Sequence, residues 1–273
     1  MARNEPTIQE LGGLWRRSLI AWPDGRRDTQ SWVNWLQGPS FYIDLRQPDL
    51  RPALAGATHL RQLSPDDLDW LSLQEGFAGE LHYAQGFFEW RREIDFQPQA
   101  VYSDMGRLWF EKGMMIEEGK DIAYIEHWHS EMLDRLPFCA LRLDDAEAGC
   151  RGYIVRRGPL FMYARARSAA VPPNVHLRDC VAGAESLEAA QDFVDCEISQ
   201  GVVTSAGWII QRSSLPYREG RCLQPVLPPV GGSRLVTSDV GPNGAALVRH
   251  WEVLDMQGRL EDMLMNERAG GVR

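Results

Sequence analysis

The chain carries echoes of itself about 120 residues apart. Gly38-Pro39-Ser40-Phe41-Tyr42-Ile43-Asp44-Leu45-Arg46 returns as Gly158-Pro159-Leu160-Phe161-Met162-Tyr163-Ala164-Arg165-Ala166. Trp90-x7-Pro98 returns as Trp208-x7-Pro216, and Glu126-His127-Trp128 as Arg249-His250-Trp251. The offsets of 120, 118 and 123 keep order and nearly keep spacing. A unit of this length is the size of a small domain, not of a solenoid repeat. Two units are therefore expected, at residues 1–137 and 150–273. The stretch 138–149 is the expected linker, because Leu143 to Gly149 loses strand character.

Runs such as Ser40–Arg46, Gly86–Phe96, Ala123–Trp128, Leu160–Arg167 and Val202–Arg212 are rich in aromatic and β-branched residues, with Gly, Pro, Asp or Asn between most of them. Many short strands predict a mainly β chain of two antiparallel barrels or half-barrels. Ser64-Pro65-Asp66-Asp67 reads as a helix start running to about Leu73. Ser186–Asp192 and the tail after Gly258 are the other helical segments, the tail fraying at Gly270-Gly271. Pro225–Gly232 reads as a long loop. The formal charge of −9 argues against a nucleic-acid partner. Five scattered cysteines without a CxxC offer neither a disulfide framework nor a zinc motif. The first 13 residues lack an apolar signal core, and no run approaches a membrane span. A cytoplasmic protein without membrane contact is expected.

Leu11-Gly12-Gly13-Leu14-Trp15 has the Gly-x-Trp character of the first strand of lipocalin-like barrels. Tyr42-x-Asp44-Leu45-Arg46-x-Pro48, Phe77-Ala78-Gly79, Trp90, Asp95, Asp104-x-Gly106, Glu117-x-Gly119 and Glu126-x-Trp128 follow. In order and approximate spacing this string resembles a fungal family of casein-kinase-interacting proteins built from two fused streptavidin/lipocalin-like (calycin) barrels. The resemblance implies a duplicated calycin-like architecture and no particular chemistry.

Strand parity links these residues to a site, since alternate side chains face opposite ways. Tyr42, Asp44 and Arg46 share one face of a strand, and Phe41, Ile43 and Leu45 the other. Pointed inward, the polar set offers a phenol, a carboxylate and a guanidinium, the last suited to a carboxylate ligand. Pointed outward, it is a solvated face over an apolar one. Glu80 and His82 share a face, as do Arg91, Glu93 and Asp95. If Trp90 packs inside, Arg92 is the buried group and needs an acid such as Glu117 or Glu126. Tyr124, Glu126 and Trp128 are assigned inward, which leaves His127 and His129 outside. That His-x-His pair has metal-ligand spacing, but the remaining ligands of a metal site do not follow it. No metal and no cofactor is assigned.

Three readings of function follow. One is a barrel that binds a partly apolar or aromatic acid, with Trp15, Trp90, Arg92, Tyr124 and Trp128 as its lining; Trp22, Trp32 and Trp35 add to an unusual number of tryptophans. A second is a cofactor-free lyase, decarboxylase or isomerase. By analogy with lipocalin-like phenolic acid decarboxylases, Tyr42 and Arg46 would hold an aromatic acid while Glu80, Glu117 or Glu126 moves protons. A protein-interaction module is the third reading, tied to solidly packed barrels. The expected partner is a small molecule, with homodimerisation left open.

Overall fold

The structure is a computed structural model that describes residues 4–52, 56–131, 136–226 and 234–264. In chain order the first unit comprises β1 (Gly13–Ala21), β2 (Arg27–Asp28), β3 (Trp32–Gln37), β4 (Phe41–Gln47), α1 (Pro65–Leu71), β5 (Glu75–Ala84), β6 (Phe87–Asp95), β7 (Met105–Glu111), β8 (Met114–Gly119) and β9 (Ile125–Glu131). β1 pairs with both β3 and β9, so β1 and β3–β9 close into an eight-stranded antiparallel barrel, with β2 a short arm on β1. Closure leaves this barrel without a sheet edge.

The second unit comprises β10 (Phe138–Asp145), β11 (Cys150–Arg157), β12 (Leu160–Arg165), α2 (Leu177–Ala182), α3 (Leu187–Phe193), β13 (Glu197–Thr204), β14 (Gly207–Ser213), β15 (Arg234–Val240), β16 (Ala246–Gly258) and α4 (Leu260–Leu264). Its seven strands curl into a half-barrel whose first and last members, β10 and β16, pair. Both free edges are met by one segment: Cys222 bridges Ile209 of β14, and Val226 bridges Val236 of β15. Backbone pairing there covers donors and acceptors that an open edge would leave bare.

The two units share an element order. Each begins as a meander of five staves, inserts helix between its third and fourth, and has a bulge between the fourth and fifth; β14 and β15 of the second unit do not pair. The bulges sit at Ala78/Gly79 and at Gln200/Gly201. Both use glycine for the same reason: a Cβ would stand 1.9 Å from the Arg91 carbonyl oxygen at Gly79, and 2.2 Å from that of Ile209 at Gly201.

Alternation sorts the apolar residues into three cores. Trp15, Trp35, Tyr42, Phe77, Phe88, Trp90 and Trp128 fill much of the first barrel. Leu141, Ile154, Phe161, Tyr163, Trp208 and Trp251 fill the second unit. The third core is the seam, where Phe41, Ile43 and Leu45 of β4 meet Tyr153, Val155, Met162 and Ile198 of the second unit. Phe41 and Tyr153 cross edge to face at 5.4 Å. β4 is thus buried on both faces, with Tyr42, Asp44 and Arg46 turned into the barrel and Phe41, Ile43 and Leu45 into the seam.

Several expectations are corrected. Residues 138–149 are not a linker: Phe138–Asp145 is β10, which pairs with β11 and β16. Its Cys139, Leu141 and Leu143 face one core and Ala140 another. The echo offset of 120 joins Phe41, at the seam, to Phe161, inside the second unit. The β3–β4 turn, residues 38–40, is one residue longer than the β11–β12 turn, residues 158–159. By position along the strand, Arg165 of β12 matches Arg46 of β4. Helix α2 went unread, with His176 at its N-cap position. The helices expected near Ser64, Ser186 and Leu260 are present. Most of the Pro225–Gly232 loop and the fray at Gly270-Gly271 lie outside the described residues. No described helix is long and apolar enough to cross a membrane. All five cysteines are free thiols, and burial pushes that of Cys139 up to about 12, which makes it a packing group.

Candidate functional site

The two ends of the first barrel differ. At one end the N-terminal segment closes it. Ile8 and Leu11 pack on the interior, the Trp15 indole donates to the Leu11 carbonyl at 2.6 Å, and Trp15 stacks against Trp35 and Phe110 at 6.1 and 6.3 Å. Trp35 meets Trp90 and Trp128 edge-on, each at 5.7 Å. These rings support one another and leave little for a ligand. Trp15 therefore belongs to the plug. Trp32 lies on the outside, beneath the Arg212 guanidinium at 4.4 Å.

At the other end the barrel opens into a cavity of about 580 Å³. Its floor includes Arg46, Trp90 and Glu126, and its walls Arg92, Asp95, Asp104 and Tyr124. Val101, Tyr102 and Ile122 form an exposed apolar rim.

Ionisable groups in this barrel are held in a lattice. Arg46 donates to Asp44 at 2.9 Å and lies 3.6 Å from the Glu126 carboxylate. Arg17 donates to the same Glu126 oxygen at 2.6 Å and to Asp28 at 3.2 Å. Arg92 donates to Asp95 at 2.9 Å and to Asp104 at 2.6 Å. The Phe77 ring carries the Arg92 guanidinium at 3.6 Å and that of Arg46 at 4.9 Å. Every one of these three arginines thus has two carboxyl partners. Glu117, opposite Glu126 on the paired strand, accepts from the Tyr124 hydroxyl at 2.7 Å and from the Trp128 indole at 3.1 Å.

The electrostatics follow from burial. Burial and the adjacent Glu126 charge raise Glu117 well above the ordinary carboxyl range. Burial, only partly offset by Arg46, lifts Asp44 to about 6. Burial likewise raises the phenols of Tyr42 and Tyr124. Two buried polar atoms lack a hydrogen-bond partner here: the Tyr42 hydroxyl and Oε2 of Glu126.

The structure brings Tyr42, Arg46, Arg92, Glu117, Tyr124, Glu126, Trp90 and Trp128 to this interior. Glu80 is elsewhere. It sits on the outer wall, accepts from Ser40 at 2.9 Å and lies 3.2 Å from the His82 ring. Its parity puts it opposite the inward Gly79 and Leu81. His127 and His129 lie on the outer face, where the His129 ring is 2.9 Å from the Ser18 hydroxyl. Among the described residues no group of three or more His, Cys, Asp or Glu is arranged to hold a metal ion.

Four lattice members were missed from the sequence. Arg17 follows Trp15 by two, and that parity could have found it. Asp28 lies on the two-residue strand β2, below any periodicity signal. Asp95 appeared to share the face of Arg91. The bulge inserts Glu93 into the β5–β6 ladder, so Arg92 and Asp95 both turn inward. Asp104 precedes β7 and entered only within the Asp104-x-Gly106 part of the resemblance, with no role attached.

The second unit has its own buried lattice. Arg218 pairs with Glu197 at 2.9 Å and lies 3.4 Å from Asp239, which also meets Arg165 and Arg249. Burial opposes ionisation of Asp239, but Arg165, Arg218 and Arg249 together hold its carboxyl below the usual range.

No protein-family model matches the chain, and no curated protein matches it either. Among solved structures it is similar to the crystal structure of the uncharacterized protein YLR301w from Saccharomyces cerevisiae, with a TM-score of 0.50 and 13% identity over 90% of this chain and 98% of that one. At that identity the likeness concerns the fold alone, and what both chains have in common is a barrel architecture spanning nearly their whole length.

Proposed function

We propose that this chain is a calycin-like, duplicated barrel protein that binds one small, partly apolar molecule in the open end of its first barrel. The observation that carries the reading is the asymmetry of that barrel. One end is plugged by stacked indoles, while the other holds a cavity of about 580 Å³ with a polar floor and an apolar rim. That volume suits a small organic ligand, and the mix of apolar rim and few converging polar groups is the usual make-up of a binding pocket. The second unit, whose buried charges pair with one another, serves as the packing partner of β4. Lyase chemistry on an aromatic acid has less support, because Arg46 would first have to leave Asp44 and Glu126 to hold a carboxylate.

The test is a fluorescence titration of the full chain against a library of small aromatic and alicyclic compounds, since Trp90 lines the cavity. Saturable quenching is expected, lost in Ser103→Trp, which sets an indole at the cavity mouth from an exposed position. A library without a single saturable signal would remove the reading.

A further inference from the structure

We infer that the ligand is a cation, an amine whose ammonium group docks on Glu126 while its apolar part rests on Tyr102 and Ile122. The inference rests on the proposed binding function and names the ligand class of that same cavity.

The first ground is an unfilled acceptor. Glu126 is 1% exposed and lines the cavity. Its Oε1 takes Arg17 at 2.6 Å, with Arg46 at 3.6 Å, whereas its Oε2 has no hydrogen-bond partner. Leaving a buried carboxylate oxygen unpaired is unfavourable, so the atom calls for a donor. A ligand carboxylate has none to give.

The second ground is charge. Three guanidinium groups, on Arg17, Arg46 and Arg92, face Asp28, Asp44, Asp95, Asp104, Glu117 and Glu126. Each of these three guanidinium groups already spans two carboxyls, and Arg91, the remaining arginine of the lining, is exposed and paired with Glu89, so none of the buried positive charge is left for an anion. Even with Glu117 protonated, acids outnumber bases, an excess that a cation offsets and an anion enlarges. A neutral hydroxyl could fill Oε2 but would leave the charge unbalanced. The rings of Trp90, Tyr102 and Tyr124 around the cavity add faces that favour an ammonium group.

The third ground is reach. Val101, Tyr102 and Ile122 are apolar yet exposed at the rim. An arylalkyl amine seated on Glu126 would cover them.

The experiment is isothermal titration of the full chain with three compounds sharing one skeleton: 2-phenylethylamine, 2-phenylethanol and phenylacetate. The amine is expected to bind at least about tenfold tighter than the alcohol, the usual gain of a charge-assisted over a neutral hydrogen bond, and phenylacetate not at all. In Glu126→Gln the margin of amine over alcohol should shrink to less than about threefold. The wild-type ranking needs no variant, so a misfolded Glu126→Gln leaves the test intact; Tyr102→Ala, at an exposed position, should weaken amine and alcohol alike. Phenylacetate or the alcohol binding tighter than the amine would overturn the cation inference and leave the cavity reading standing. If acidic or neutral library compounds bind and the amine does not, the cation inference is overturned in the same way. If nothing in any charge class binds, the functional reading falls with it.

Discussion

Asp44 shows how a single side chain carries the barrel's chemistry. It is 2% exposed, and burial outweighs its bond to Arg46, so its carboxyl titrates at about 6. The folded state therefore holds this proton more tightly than the unfolded chain, whose carboxyl titrates near 4. By linkage, stability from this group is greatest below the unfolded value and declines as pH rises through about 6. Burial of Glu117 acts in the same direction. Relative to Asp44→Asn, the wild type is expected to gain roughly 1 kcal/mol between pH 7 and pH 5. Urea titrations of both proteins at the two pH values measure this, and a difference that is flat or reversed would contradict it. At this scale the sequence pointed to much of the interior: parity and resemblance assigned Tyr124, Glu126 and Trp128 inward, named Glu117 as an acid near them, and left the face of Tyr42 and Arg46 open. Glu80 was misplaced although parity could have oriented it, since Phe77 and Leu81 form the apolar face of its own strand and leave Glu80 and His82 on the other.

Strands and their irregularities decide the remaining geometry. The β5–β6 bulge turns Arg92 and Asp95 to the same side, and Gly79 permits it by letting the Arg91 carbonyl approach where a Cβ would sit. Gly79→Ala is expected to destabilise the chain on the order of 2–4 kcal/mol, because the clash is with backbone, which cannot swing away. Gly201→Ala should behave alike for the same reason. Denaturant midpoints measure both, and a loss under about 0.5 kcal/mol, the range of ordinary surface substitutions, would contradict the bulge account. Such bulges are the main reason the site was only partly legible. Period-two reading holds within a regular strand, and a single inserted residue reverses it for everything beyond. The one-residue difference between the β3–β4 and β11–β12 turns hid the correspondence of Arg46 and Arg165 in the same way.

At the scale of the whole molecule, the seam makes one body of two units. β4 gives its odd-numbered side chains to the seam and its even-numbered ones to the barrel interior, so neither core is complete without that strand. Full-length chain is expected to unfold in a single transition whether followed by tryptophan emission or by far-ultraviolet circular dichroism. Phe41→Ala should lower the stability of that whole transition by about 3–5 kcal/mol. Two resolved transitions in the wild type would contradict a shared core. The mainly β, barrel-forming character was legible because strand-like runs recur along the whole chain. The seam was not, since apolar residues that face another unit look the same in sequence as those that face their own.

The central claim is that the open end of the first barrel admits one small molecule, and stoichiometry at that end tests it most directly. Isothermal titration of the wild type with the best library ligand should give a saturable isotherm of one site per chain. Ser103→Trp should abolish it without moving the melting temperature. An isotherm that survives this block, or a stoichiometry of two, would contradict the account.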